Sequence, residues 1–107
     1  MSYKGLADLL TGFLRPGDFI ARWRVGDEFL VLLPATNSSA AFMVAERLRG
    51  AVETKSKLWE IPVTISIGIS VFPANGTTVE ELLMAVERAA KLSKDSGKNQ
   101  ITLASDA

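Results

Sequence analysis

Two adjacent carboxylates, Asp27 and Glu28, follow Gly26 in the stretch RWRVGDEFLVLLP, between two apolar runs. Such a pair has two uses. Hairpin tips take polar residues because they face water, and two acids on a stiff ribbon can hold a divalent cation through hard oxygen donors. What the chain lacks narrows the chemistry further. It has no cysteine and no histidine, which removes thiol nucleophiles, imidazole triads and the usual zinc ligands. A bound metal must therefore be a hard, oxygen-ligated ion such as magnesium or calcium. Any reaction must run on carboxylates, lysines, arginines and backbone groups.

The bulk properties set the frame for those residues. A chain of 107 residues that is 48% hydrophobic is expected to form one domain, residues 1–107, with ample core. Twelve basic and twelve acidic side chains cancel, so no net field draws the protein to nucleic acid or to a membrane surface. The longest apolar run, Phe29 to Leu33, is too short to cross a bilayer, and no secretion signal is evident. The expectation is a soluble, cytoplasmic protein.

Periodicity places the elements. Leu6, Leu9, Leu10, Phe13 and Leu14 fall at helical spacing across Tyr3 to Leu14, and Arg15-Pro16-Gly17-Asp18 breaks that helix. Asp18 to Arg24 and Glu28 to Leu33 read as two strands, the second apolar throughout from Phe29, as suits a strand buried on both faces. Val25 resists the positive φ of a two-residue primed turn, so a three-residue loop is expected. Arg24 and Val25 then make a type I turn, Gly26 takes the left-handed position, and Asp27 starts the returning strand.

A second helix is expected over Ser38 to Val52, capped by Thr36 or Asn37, with Ala41, Val44, Ala45 and Leu48 on its buried stripe. Ile61 to Phe72 alternates between a face of Val63, Ile65, Ile67, Ile69 and Val71 and a face of Thr64, Ser66, Gly68 and Ser70, the pattern of a half-buried strand. A third helix starts at Thr78, with Glu81 completing a capping box. It carries Val79, Leu82, Leu83, Val86, Ala89 and Ala90 at helical spacing and ends at Gly97. A short strand over Gln100 to Leu103 closes the chain. The order α-β-β-α-β-α-β predicts an α+β sandwich, helices packed on a mainly antiparallel sheet.

The ordered set RPGD, ARW, GDEFLVLLP, AERLR, VTISIGIS and AAKLSKDSGKNQI resembles the GGDEF domain family, the diguanylate cyclases, over essentially the whole chain. The resemblance implies a palm-like α+β fold related to nucleotide cyclases, of the ferredoxin-like kind. It also implies condensation of two GTP molecules into cyclic di-GMP across a homodimer, with Mg2+ or Mn2+. By position, Asp27 is similar to the signature acid that binds metal near the attacking hydroxyl, and Glu28 to its neighbour in the metal site. Such ions neutralise triphosphate charge and lower the pKa of the nucleophile.

Gly26, Lys94 and Lys98 match positions that meet substrate phosphate. The competing reading of both lysines is a solvated helix terminus favoured by the macrodipole. Arg15 and Asp18 match the RxxD motif of a product-inhibition site, and Arg47 resembles a secondary arginine there. Arginine grips phosphate or stacks on guanine, and aspartate accepts from a guanine edge. The local alternative is a turn in which Asp18 bonds to its neighbours and Arg15 closes the helix.

Two departures from the pattern matter. Family members carry an aspartate-bearing strand, then a helix with guanine and ribose contacts, before the first helix seen here, and residues 1–107 hold no counterpart. The first strand being missing, an unpaired edge is expected beside Glu28–Leu33, and exposure of the small-residue face of Ile61–Phe72 is also expected. The signature itself is altered: Trp23 is followed by Arg24 and Val25 before a single Gly26, one residue longer and one glycine poorer. Glycines in such turns let phosphate approach the backbone.

Three readings follow. The leading one is a degenerate GGDEF domain in cyclic di-GMP signalling, inactive alone, that still binds cyclic di-GMP or GTP. The second is an active cyclase working as a homodimer. The third is a non-catalytic module that pairs through its open sheet edge.

Overall fold

A computed structural model of the chain describes residues 3–23 and 28–107, and its elements follow the order α-β-β-α-β-α-β. Helix α1 spans Tyr3–Thr11. It ends three residues before Leu14, because the amides of Phe13 and Leu14 bond back to the carbonyls of Leu10 and Thr11, an i−3 tightening. Pro16 cannot extend a helix, and Gly17, at φ 93°, turns the chain toward the hairpin.

That hairpin is β1 (Phe19–Trp23) paired antiparallel with β2 (Glu28–Leu32), with Phe19 opposite Leu32 and Trp23 opposite Glu28. The expected loop at Arg24–Gly26, and Asp27 after it, lie outside the described residues. β2 is not buried on both faces: Phe29, Leu30 and Val31 are half-buried and Leu32 is exposed. Among the described residues its backbone pairs with β1 alone, so its apolar side chains lack the second neighbour their composition suits.

Helix α2 spans Ser38–Lys55, one turn longer than its apolar stripe predicts. Asn37 rather than Thr36 caps it, its side chain accepting from the Ala40 amide at 2.8 Å. Ala41, Ala45, Leu48 and Val52 form its buried face. That face serves two clusters. One joins Leu48 and Val52 to Leu6 and Leu10 of α1, with Ile20 and Phe29 of the hairpin packed against them. The other joins Ala41 and Ala45 to Ile69, with Leu33, Ile101 and Leu103 alongside.

Of the alternating stretch Ile61–Phe72, only β3 (Ile67–Ile69) is a ladder strand. It pairs in parallel with β4 (Ile101–Leu103), so the described strands form two separate two-stranded sheets. Alternation fixes which side a residue faces, but a ladder needs a partner, and β4 offers three residues. Of the small-residue face, Thr64 is exposed as expected, but Ser66, Gly68 and Ser70 are half-buried. Gly68 abuts the backbone of Ala90, the Ser70 hydroxyl donates to the Leu82 carbonyl at 2.9 Å, and the Ser66 hydroxyl accepts from the Asn99 amide at 3.2 Å. Small residues here let helix α3 (Val79–Asp95) lie close. Thr78 caps α3 with the expected box: its hydroxyl accepts from the Glu81 amide at 3.1 Å and its amide donates to Glu81 at 3.2 Å. Val79, at the helix start, is exposed rather than on the packed stripe.

Candidate functional site

Two places gather the candidate residues. The first is the turn after α1. The Arg15 amide donates to Asp18 Oδ2 at 2.8 Å, and its guanidinium spans both carboxylate oxygens at 3.3 and 3.1 Å. The same guanidinium reaches Thr36 Oγ1 at 2.9 Å and the Pro34 carbonyl at 3.3 Å. One arginine thereby ties the end of α1 to the segment leading into α2. The Asp18 side chain is 4% exposed and that of Arg15 61%. The Arg15 guanidinium hydrogen bond, then the Arg15 amide, holds the Asp18 carboxyl below its ordinary 3.8, and Asp18 raises Arg15 in turn. Beside the pair is a hollow of about 230 Å3 lined by Arg15, Pro16, Gly17, Asp18 and Pro34. Arg47, exposed on α2, is not among its lining residues. The turn thus joins Arg15 to Asp18.

The second place is a cleft of about 1460 Å3 between β2 and the segment 63–72, floored by apolar side chains of α1 and α2. On the α3 side it is lined by Glu87, Arg88, Lys91 and Lys94, and by Lys98 in the turn after the helix, so cations outnumber the one carboxylate there. Lys91 is tied to Asp95 at 2.6 Å, and Lys94 and Lys98 are the two lysines expected at phosphate. Gly26 and Asp27 lie outside the described residues. Glu28 is described as the first residue of β2, whose following residues line the cleft. Among the described residues no three carboxylates converge as a ready cation cage. Among the described residues no helix is long and apolar enough to cross a membrane.

One constellation escaped the sequence reading. Arg49 of α2 bonds both carboxylate oxygens of Glu46, lies 3.6 Å from Glu53, and donates to Asn99 Oδ1 at 2.9 Å. Asn99 in turn donates to Glu53 Oε2 at 2.5 Å. Hydrogen bonding to Glu46 raises the Arg49 pKa, against a partial loss of solvent. The spacing Glu46, Arg49, Glu53 is a legible ladder on one helix face, but its reach to a residue fifty positions later carries no local signal.

The family model described as diguanylate cyclase, GGDEF domain, matches residues 3–100. Diguanylate cyclase A of Treponema denticola is 38% identical over 101 residues, covering 92% of this chain and 27% of that protein. The biofilm architecture maintenance protein MbaA of Vibrio cholerae is 40% identical over 86 residues, covering 77% of this chain and 11% of that protein. The chain therefore spans about a quarter or less of the length of these curated relatives. Among solved structures, the GGDEF domain of DgcB from Caulobacter crescentus, in complex with c-di-GMP, shares the fold at a TM-score of 0.81 and 23% identity, covering 94% of this chain and 61% of that one. An EAL/GGDEF domain protein from M. capsulatus aligns at a TM-score of 0.76 and 30% identity, covering 94% of this chain and 66% of that one. By its sequence and by its α+β fold, this chain belongs to the GGDEF domain family of diguanylate cyclases.

Proposed function

We propose that this domain binds guanine nucleotide in the cleft beside α3 without cyclising it alone, as a degenerate member of the cyclic di-GMP signalling family. The observation that carries the reading is that Lys94 and Lys98 line the same cleft as the apolar residues of β2. A lysine ammonium is a compact point charge with three donors, suited to a triphosphate. Asp27 and Glu28 are the donors for a divalent ion, Mg2+ or Mn2+ by family, which when bound neutralises phosphate charge. What argues against unaided catalysis is the signature: RVG replaces the tight double-glycine turn, and Val25 brings a branched side chain where phosphate must approach backbone. Pairing of a second copy along the open edge of β2 belongs to the same reading.

A second, product-binding role falls to Arg15 and Asp18, with Arg47. Its support is the exposed guanidinium of Arg15 beside the hollow. Cyclic di-GMP there has to compete with Asp18 for the guanidinium, so it binds at the expense of the turn's own ion pair.

Titration of the protein with GTP and Mg2+ in a calorimeter tests the main reading, alongside assay for cyclic di-GMP. Binding is expected, weakened at least about tenfold by Lys98→Ala as a charge-assisted contact is lost, with no cyclic di-GMP above a blank. Product formation overturns the inactive reading, and an absence of GTP binding overturns the cleft assignment.

A further inference from the structure

The turn that ends α3 is built in an uncommon way. A helix closed by a left-handed glycine normally leaves that conformation at once. Here Gly97 (φ 119°) is followed by Lys98 (φ 64°) and Asn99 (φ 50°), both also left-handed. Asparagine tolerates this region, but lysine gains nothing locally from it. Conformations of that kind persist only where the surroundings over-determine them, and they gather at functional sites.

The surroundings do so at both Lys98 backbone groups and at the Asn99 amide and side chain. The Lys98 amide donates to the Ser93 carbonyl at 3.0 Å, and the Gln100 side chain donates to the Lys98 carbonyl at 3.2 Å. The Asn99 amide donates to Ser66 Oγ at 3.2 Å. Its side chain is held on both ends by α2, accepting from Arg49 and donating to Glu53. Arg49 is itself fixed by Glu46, and its side chain is only 19% exposed. Three half-buried side chains, Arg49, Glu53 and Asn99, with the exposed Glu46 bracing Arg49, thus stand behind one exposed lysine on the rim of the cleft.

We infer that Asn99, clamped between Arg49 and Glu53, is a positioning residue that holds the Lys98 backbone so that its ammonium serves the triphosphate of a nucleotide in the cleft. This rests on the proposed phosphate role of Lys98 and adds a residue that acts only through it. An ammonium on a long, flexible stem loses much rotamer freedom on binding. Fixing the backbone beneath it lowers the part of that cost that would otherwise be charged to binding.

The test is a double-mutant cycle on GTP affinity with Mg2+, measured by calorimetry on the full chain, with folding checked by thermal melting. Lys98→Ala is expected to weaken GTP at least about tenfold, and Asn99→Ala about threefold to tenfold. The double variant should bind no more weakly than Lys98→Ala alone. Losses that multiply would overturn the inference, because Asn99 would then act independently of Lys98. Should Asn99→Ala fail to fold, a polarity swap carries the test: Asn99→Asp with Glu53→Gln keeps the bond to Arg49 and reverses the other. It should restore GTP binding to within about threefold of the unaltered protein, and a swap that folds yet binds like Lys98→Ala overturns the inference. If Lys98→Ala weakens GTP while Asn99→Ala does not, the positioning role alone fails. If Lys98→Ala leaves GTP affinity unchanged, or the unaltered protein binds no GTP, the cleft assignment fails first and takes this inference with it.

Discussion

A Cβ added at Gly68 in β3 would sit 2.3 Å from the Ala90 amide nitrogen of α3, whereas across the cleft Phe19 and Leu32, partners in the hairpin register, are 57% and 53% exposed. The contrast extends through both sheets. β3 and β4 are sewn to α3 by the buried Ser93, whose hydroxyl donates to the Ile67 carbonyl at 2.9 Å and lies 2.7 Å from the Thr102 hydroxyl. The hairpin meets the core through Ile20 and Phe29, and one guanidinium ties its base to the entry of α2. The half bearing Lys94 and Lys98 is therefore close-packed, and the half bearing Glu28 presents apolar surface to the cleft. The phosphate site proposed for Lys94 and Lys98 thus rests on the close-packed half.

Gly68→Ala breaks that contrast most severely. The methyl meets backbone on two sides, Ala90 N at 2.3 Å and Val86 O at 2.5 Å, and neither can rotate away. Overpacking against backbone is expected to cost about 3 kcal/mol, read as a lower urea midpoint. A loss under about 1 kcal/mol would mean that α3 can lift from β3, and that the two halves differ less than their packing implies.

The same contrast governs what the sequence disclosed. Helix α3, with its capping box, its periodic stripe and its terminal glycine, was legible because each signal is local. The small residues Ser66, Gly68 and Ser70 gave their common face but not what covers it, since close approach depends on a helix twenty residues away. β2 was legible in part: its apolar residues suit a strand buried on both faces, which it is not, whereas the unpaired edge expected beside it agrees with the described strands, where β2 pairs with β1 alone. Of the candidate residues, Arg15 with Asp18 was legible as a turn pair, although its bonds to Thr36 and Pro34 were not. The Arg49–Asn99 clamp left no trace, because two polar residues fifty positions apart meet only through the fold.

Acid sharpens the comparison on the hairpin's side. The folded pKa of Asp18 lies below the unfolded value of 3.8. Its pairing with Arg15 therefore contributes fully above that value and is lost as pH falls through the depressed folded pKa. Thermal melts of the protein and of Asp18→Asn should differ at neutral pH, with the unaltered protein the more stable. That difference should shrink once the pH drops below 3.8, as protonation makes the two alike. A difference that stays constant into acid would show that the turn is held by its neutral bonds, with Arg15 resting on Pro34 and Thr36.

Leu32→Thr should have the smallest effect and isolates the open half. The side chain is already 53% exposed, and threonine suits a strand as well as leucine does. At micromolar concentration, stability should change by no more than about 0.5 kcal/mol. The informative variable is protein concentration. If a second copy pairs along β2, the unaltered protein gains stability as concentration rises, by mass action. Leu32→Thr, with less apolar surface to bury against the partner strand, gains less. Urea midpoints measured over a hundredfold range, with light scattering for mass, give the result. A midpoint in the unaltered protein that ignores concentration would remove edge pairing from the proposed function. The hairpin would then stand as a face that stays half-exposed in the monomer, and the difference between the two halves would belong to the single chain.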